Sequence, residues 1–203
     1  KINYQITVIV KDYACQILKF IPMKTRIRPL LLFFTVLIIS GNSFYINHLQ
    51  ASTTKDAPSE LYMLLKALPG IADIQPLKFK PPFHEKYVVM IKQWLNPMDT
   101  ASGSFIQRVF ISHFSFDAPT VIVTEGYSGS YAESADYTEE LSSLFNTNQI
   151  LVEHRYFGKS VPQPLNWKYL TAANAAADHH HVVSLLKKIY KHKWISTGIS
   201  KGG

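Results

Sequence analysis

The fold of this chain is decided by its stretch WISTGISKGG, residues Trp194–Gly203. The first half of the stretch is β-prone, and Gly198 to Gly202 then read G-x-S-x-G, a pattern in which a strand ends in a sharp turn that carries a serine. The turn points the serine hydroxyl out of the sheet, and glycines without a Cβ let the chain close around it. Strand and pattern together predict that Ser200 is an exposed nucleophile.

Strands and helices alternate before this turn. Apolar, β-branched runs predict five strands, at Tyr87–Trp94, Phe105–His113, Thr120–Thr124, Gln149–His154 and Lys193–Thr197. Helical spacing predicts helices at Ser59–Leu68, at Tyr137–Phe145, and from the cap Thr171 to about Lys191. A link with turn chemistry between positions 96 and 103 joins the first two strands, and this predicts an antiparallel hairpin.

The alternation favours a parallel sheet with right-handed crossovers. Its order is that of the α/β-hydrolase fold, in which the nucleophile follows the fifth strand, so we expect this fold, truncated just after the serine turn. The loop after the third strand of that fold supplies one amide of an oxyanion hole. That loop is Glu125–Ser130, which is rich in small residues, and the second amide is the N–H of Lys201. Taken alone, the loop is also compatible with an ordinary surface turn.

The net charge of +7 comes mainly from the first 50 residues, which hold six Lys or Arg and one Asp. The composition is otherwise that of a globular protein, 47% hydrophobic and 17% charged. A nucleic-acid-binding protein needs basic residues clustered in its folded part, and the remainder of this chain is nearly balanced in charge. We therefore expect no nucleic acid partner.

The first part of the chain reads as a leader. A basic segment, Met23–Arg28, and the apolar run Leu30–Ile39 predict a signal peptide over residues 23–51. The run is shorter than an ordinary transmembrane span, although an uncleaved anchor remains an alternative. We expect a secreted or periplasmic protein that meets the membrane only through the signal peptide during export.

The leader also sets the predicted domain boundaries. Residues 1–22 precede Met23 and are expected to be upstream sequence outside the working protein. Residues 52–85 are predicted to be an N-terminal extension, and residues 86–203 the N-terminal half of the hydrolase domain.

Cysteine and histidine usage argue against thiol and metal chemistry. The single cysteine, Cys15, lies before Met23, so neither a disulfide nor a cysteine nucleophile is expected in the folded part. His179, His180 and His181 are consecutive on the predicted last helix, where side chains point about 100° apart and cannot converge on one ion. We expect neither a metal nor another cofactor.

Three segments together carry a resemblance to a known group: Thr124–Tyr127, Val152–Pro162 with its run EHRYFGKS, and Trp194–Gly203. The chain resembles the PS-10 (S37) family of secreted bacterial serine peptidases and, more distantly, the lysosomal Pro-X carboxypeptidases and dipeptidyl peptidases of family S28. The resemblance runs from about Pro69 to Gly203.

The resemblance implies a serine exopeptidase that releases short peptides, in the first place tripeptides, from the N-terminus of a peptide or protein substrate. Ser200 is then the nucleophile, and the N–H groups of Lys201 and of Tyr127 or its neighbours form the oxyanion hole. The aspartate and histidine of the family follow the serine, so they are expected beyond Gly203, and no histidine of this sequence is expected to be the base. The isolated half is expected to be inactive.

Two charged residues near these motifs leave alternatives open. Glu125 could hold the ammonium group of a peptide substrate, or it could be an ordinary loop carboxylate. Arg155 follows a buried strand and has Glu153 two residues before it, which favours a structural ion pair or hydrogen bond over a substrate contact. Two other functions also stay open, an esterase or lipase on the same fold and a non-catalytic exported fragment.

Overall fold

The structure, a computed structural model, describes residues 57–203. The predicted upstream segment, the predicted signal peptide and Cys15 lie outside these residues. The helices and strands are, in chain order, α1 (Glu60–Lys66), β1 (Ile71–Pro76), β2 (Glu85–Asn96), β3 (Asp99–His113), β4 (Thr120–Thr124), α2 (Glu140–Phe145), β5 (Asn148–Val152), α3 (Ala172–Leu186) and β6 (Trp194–Gly198). Short 3-10 turns cover Ser130–Glu133, Trp167–Tyr169 and Ser200–Gly202. No helix within residues 57–203 is long and apolar enough to cross a membrane.

The six strands form one mixed sheet in the order β1-β2-β3-β5-β4-β6. β1, β2, β3 and β5 are antiparallel neighbours, whereas β5, β4 and β6 run parallel. The prediction of a parallel sheet is therefore correct only for β5, β4 and β6. The antiparallel part arises because a short turn joins β2 to β3, and a parallel pair would need a crossover of a dozen residues or more.

The hairpin of β2 and β3 is longer than predicted, and one strand is additional. Pairing continues to Asn96↔Asp99, so the residues up to Gly103 that we predicted as a turn belong to β3. The sequence pattern does not predict β1, because Asp73 and Pro76 are poor strand formers. Both are tolerated there because β1 lies at the edge of the sheet.

Helix α3 begins as predicted and ends earlier. Thr171 Oγ1 accepts a hydrogen bond from the backbone N–H three residues on, at 3.2 Å, which is the geometry of an N-cap. The helix ends at Leu186 rather than at Lys191, because the N–H groups of Lys188 and Ile189 bond to carbonyls three residues back instead of four. This tightening is the usual way in which a 3-10 turn closes a helix.

Apolar side chains cover both faces of the sheet. On one face, Leu61 and Leu65 of α1 join Val182 and Leu186 of α3 in the larger core cluster. On the other face, Ala132 of the first 3-10 turn lies in a second cluster. Alternate residues of β4 and β5 enter the two clusters, as expected for strands that are covered on both faces. Helix α1, from the segment predicted to be an extension, is part of the main core.

Arg155 is fully buried and has a structural role, as predicted, but its partner is not Glu153. It forms a double ion pair with Asp178 of α3, with Nε–Oδ2 at 2.7 Å and Nη2–Oδ1 at 2.8 Å. Its remaining N–H groups donate to the carbonyls of Trp94, Leu95 and Tyr169 at 2.8–3.0 Å. Each donor of the guanidinium is used, which is the condition under which a buried ion pair is tolerated.

We predict that Arg155→Met destabilises the full-length protein strongly. The change leaves the Asp178 carboxylate buried without its counter-charge and removes the donors of three backbone carbonyls, so the free energy of unfolding should fall by about 3–5 kcal/mol. Lys80→Met is the matched control, because the Lys80–Asp136 pair is exposed and should contribute less than about 1 kcal/mol. Urea unfolding measures both, and equal losses would contradict the prediction.

Candidate active site

The serine turn follows β6 directly. β6 ends at Gly198, and Ser200 opens the 3-10 turn Ser200–Gly202 with a φ of 57°. A positive φ is strained for a residue with a Cβ, and such strain is typical of the serine in a strand-to-helix elbow. Ser200 is also exposed. The predicted nucleophile thus lies on a strained turn that solvent can reach.

The two glycines of the pattern allow this turn to close on the end of β4. A Cβ on Gly198 would lie 2.5 Å from Thr124 Oγ1, and a Cβ on Gly202 would lie 1.9 Å from Thr124 O. Thr124 Oγ1 also bonds to the carbonyl of Thr197 at 3.1 Å and to that of Gly202. Any side chain at either glycine would push the turn away from β4.

The loop after β4, Glu125–Ser130, lies against the serine turn through Gly126. A Cβ on Gly126 would come within 2.9 Å of Lys201 Cβ and of the backbone nitrogen that follows Lys201. β4 and β6 are parallel neighbours, so the chain leaves both strands at the same edge of the sheet. The structure therefore brings together the two predicted parts of the oxyanion hole, this loop and the backbone of Lys201.

Tyr127, the predicted donor of the loop, has its N–H engaged. This N–H donates to Glu125 Oε1 at 3.0 Å, and the Tyr127 carbonyl accepts from the His154 N–H at 3.2 Å. The N–H of Gly126, by contrast, has no hydrogen-bond acceptor within residues 57–203. The geometry thus favours Gly126 as the donor of this loop, and a role for the Tyr127 N–H stays a prediction.

The side chain of Lys201 joins the serine turn to the loops after β4 and β5. Its Nζ lies 4.2 Å from the ring centroid of Phe157 and 5.3 Å from that of Tyr127. The two rings pack edge to face with their centroids 5.1 Å apart. Desolvation lowers the pKa of Lys201 below its ordinary value. Each cation–π contact contributes roughly 0.5–1 kcal/mol at exposed sites.

The carboxylate of Glu125 is held at both oxygens. Oε1 accepts the Tyr127 N–H, and Oε2 accepts the hydroxyl of Tyr131. Burial, with the hydrogen bond to Glu125, raises the pKa of Tyr131 above its ordinary value, so the hydroxyl remains a donor at neutral pH. Each carboxylate oxygen has a further lone pair, and Glu125 is therefore a positioned anion that can accept another donor.

A cavity of about 320 Å³ lies between the serine turn and the first turns of α3. Its lining includes His154, His179 and Lys201, together with small residues of α3. His154 is buried, and its Nδ1 lies 2.7 Å from Arg155 O, so the main chain holds the ring. Burial lowers the pKa of His154, and burial together with His154 lowers the pKa of His179 to about 4.

The three consecutive histidines diverge, as helix geometry requires. His179 lines the cavity, His180 is exposed, and His181 Nδ1 lies 2.8 Å from Gln93 Oε1. Within residues 57–203, no group of three or more His, Cys, Asp or Glu side chains is placed to hold a metal ion.

Sequence reasoning missed Arg108, Thr124 and the role of Glu153. Arg108 of β3 donates to Glu153 from Nε at 2.9 Å and from Nη2 at 2.5 Å. These residues are 45 positions apart in the chain, so no local pattern reveals the pair. The one available signal is that Arg108 directly precedes the apolar run Val109–Ile111 of a predicted strand, where a buried charge needs a partner.

The neutral state of His179 predicts a fold that is sensitive to acid. Its pKa is about 4 in the folded protein and about 6.5 in an unfolded chain, so unfolding takes up a proton between these values. Stability is therefore full above about pH 6.5 and falls as the pH drops toward 4, by about 1–2 kcal/mol for this group.

His179→Gln should flatten the dependence of the free energy of unfolding on pH between 7 and 5, because the unfolded state loses this site of protonation. His180→Gln is the matched control, since His180 is the exposed neighbour, and it should keep the wild-type slope. Urea unfolding at several pH values measures the slopes. An unchanged slope in His179→Gln would rule out a neutral His179 with a lowered pKa in the folded protein.

Comparison with known proteins identifies the family of this chain. The prolyl tri/tetrapeptidyl aminopeptidase of Streptomyces mobaraensis is 35% identical over 137 residues, which are 67% of this chain and 28% of that protein. The chain thus matches little more than a quarter of the length of that relative. A sequence model of the family described as PS-10 peptidase S37 matches residues 59–203, which include all the described helices and strands. The resemblance predicted from the motifs is confirmed, and the chain belongs to the PS-10 peptidase S37 family.

Proposed function

We propose that the full-length protein is a serine exopeptidase that releases short peptides, chiefly tripeptides, from the N-terminus of peptides or proteins. The observation that carries the proposal is the strained turn at Ser200, packed against Gly126 in a chain of a peptidase family. The name of the Streptomyces relative adds support for products of three or four residues.

The fold we propose is that of the α/β-hydrolases. It is supported by three parallel neighbours, β5, β4 and β6, with the serine turn directly after the last of them. Because β1 is an additional strand, the serine follows the sixth strand of the described sheet and not the predicted fifth. β1 joins the edge opposite to β6, so it leaves the relation between β4 and β6 unchanged.

In the proposed reaction, Ser200 Oγ attacks the scissile carbonyl while a general base takes its proton. The carbonyl oxygen becomes an oxyanion that accepts hydrogen bonds from the N–H groups of Lys201 and Gly126. The C–N bond then breaks, the leaving amine takes the proton, and water hydrolyses the acyl-enzyme. The base is proposed to be a histidine, held by an aspartate, that follows Ser200 in the full-length protein, as the family resemblance implies.

An aminopeptidase must recognise the ammonium group of its substrate, and we propose Glu125 for this role. Its carboxylate is positioned by Tyr127 and Tyr131, at the start of the loop that meets the serine turn. A free α-ammonium group then gains a charge-assisted hydrogen bond that a blocked N-terminus does not.

Export of the protein is proposed from the basic and apolar leader alone.

We predict that Ser200→Ala abolishes peptide hydrolysis by the full-length protein. Loss of a serine nucleophile lowers kcat by about 10⁴-fold or more in comparable enzymes. Ser196→Ala, an exposed serine of β6, is the control and should retain activity within about threefold. Hydrolysis of a tripeptidyl chromogenic substrate measures both variants, and a fluorophosphonate should label the wild type but not Ser200→Ala.

The same assay separates the proposed peptidase from the alternative esterase. A wild-type protein that turns over p-nitrophenyl esters but no peptide would overturn the peptidase proposal while leaving Ser200 as the nucleophile. Peptide or ester hydrolysis that persists in Ser200→Ala would show that Ser200 is not the nucleophile, and it would overturn the proposed serine mechanism for either activity.

Glu125→Gln tests the recognition of the N-terminus. We expect kcat/KM for peptides with a free amine to fall about 10–100-fold, mainly through KM, because a charge-assisted bond becomes a neutral one. Glu140→Gln, the same change at an exposed site of α2, should have no such effect. Steady-state kinetics on free and N-acetylated peptides give the comparison. An equal loss on both substrates would mean that Glu125 does not read the ammonium group.

A further inference from the structure

Glu153, directly after β5, is a fully buried carboxylate with an unusual number of donors. Arg108 donates to it from Nε at 2.9 Å and from Nη2 at 2.5 Å. Gly129 N–H and Ser128 Oγ donate to Oε2 at 3.0 and 3.3 Å. The N–H groups of Lys159 and Ser160 and the Ser160 hydroxyl donate to Oε1 at 3.0, 3.1 and 2.8 Å.

These donors come from three separate parts of the fold. Arg108 belongs to β3, Ser128 and Gly129 to the loop after β4, and Lys159 and Ser160 to the loop after β5. Ser160 Oγ also accepts the backbone N–H of Arg108 at 2.9 Å, which fastens the second loop to the strand. The carboxylate of Glu153 is therefore the common anchor of the loops after β4 and β5.

The space around the anchor admits little adjustment. A Cβ on Gly158, whose φ is 56°, would lie 2.1 Å from Glu153 Oε2, and a Cβ on Gly129 would lie 2.6 Å from Leu151 Cδ2. Burial by itself would raise the pKa of Glu153, but the hydrogen bonds from Arg108 and Ser160 and the charge of Arg108 outweigh burial and lower the pKa. Glu153 is thus an anion at neutral pH with a fixed set of donors.

The anchor contributes to the position of Gly126. Glu153 holds the far end of the loop at Gly129, and β5 holds its start, because Glu125 N–H donates to Val152 O at 3.2 Å. Only residues 126–128 lie between these two points; the backbone of Gly126 packs against Lys201, and the ring centroid of Tyr127 lies 5.3 Å from Lys201 Nζ. Two contacts hold the chain beyond Gly126, the hydrogen bond from the His154 N–H to the Tyr127 carbonyl at 3.2 Å and the anchor at Gly129. Loss of the anchor at Gly129 therefore loosens the loop beyond Tyr127 and weakens the hold on the segment that presents the Gly126 N–H to the serine turn.

We propose that Glu153 is a positioning residue, which holds the loop after β4 so that the N–H groups of Gly126 and Lys201 converge on one oxyanion. The inference rests on the proposed function in one respect, that acyl transfer takes place at Ser200. Glu153 touches no reacting atom, and its effect is transmitted through Gly129.

A carboxylate in a buried ion pair also stabilises the fold, so the test needs a control of equal burial. Asp178 is this control, because it is the carboxylate of the buried Arg155 pair and makes no contact with the loop after β4. Glu153→Gln and Asp178→Asn each replace one such carboxylate by its neutral amide, and both should lose several kcal/mol of stability. Only Glu153→Gln should alter the loop.

The experiment compares the two variants of the full-length protein in kinetics and in hydrogen exchange. For Glu153→Gln we expect kcat to fall about 10–100-fold with KM within about threefold, because displacement of one oxyanion donor affects the transition state. Amide exchange at residues 126–130 should accelerate at the same time. Asp178→Asn should keep kcat within about threefold and leave exchange at residues 126–130 unchanged.

Kinetics on a tripeptidyl amide and on a p-nitrophenyl ester keep this test independent of the proposed peptidase activity. If the wild type turns over only the ester, the peptidase proposal fails, and the ester kinetics still decide the role of Glu153. If the wild type turns over neither substrate, the amide exchange rates at residues 126–130 decide whether Glu153 positions the loop.

Ser160→Ala serves as a milder variant if Glu153→Gln does not fold, since it removes only one donor of the anchor. A smaller fall in kcat, of about 3–10-fold, together with faster exchange at residues 126–130, would support the proposal. The proposal is wrong if these variants change neither kcat nor the exchange rates, or if Asp178→Asn changes both to the same extent as Glu153→Gln.

Discussion

The parallel pairing of β5, β4 and β6 brings the loops that follow these strands to one edge of the sheet. The loop after β5 carries Glu153 and Arg155, the loop after β4 carries Glu125 and Gly126, and the turn after β6 carries Ser200. Parallel neighbours need long crossovers, and α2 and α3 supply them on opposite faces of the sheet. Without this pairing, residues from three distant parts of the chain would not meet.

Two buried arginine–carboxylate pairs stabilise the fold around these loops. Arg155 with Asp178 joins the loop after β5 to α3 and to the end of β2, while Arg108 with Glu153 joins the loops after β4 and β5 to β3. A buried charge is costly unless its donors and acceptors are satisfied, and each of these groups has several partners. The positions of the loops therefore depend on a complete set of hydrogen bonds. Loss of one member of the set leaves other buried polar groups unpaired.

Prediction from sequence succeeded for strands that are buried on both faces, and it failed where strand pairing or the choice of hydrogen-bond pattern decides the structure. β4 and β5 are short apolar runs covered on both faces, so their composition alone identifies them. β1 is an edge strand that contains Asp73 and Pro76, and its conformation comes from pairing with β2. The end of α3 depends on a local choice between two hydrogen-bond patterns, which helical periodicity does not distinguish.

The sequence by itself determined the family and the serine turn, because the motifs that carry them are runs of residues that are neighbours in the chain. Only the tertiary structure decided that Glu153 pairs with Arg108, and that the Tyr127 N–H donates to Glu125 while the backbone of Gly126 packs against the serine turn. The physical reason is that a charged or polar group in a protein interior takes the partner that the fold brings within hydrogen-bonding distance. Sequence proximity does not fix that partner, and in this site the decisive contacts span tens of residues.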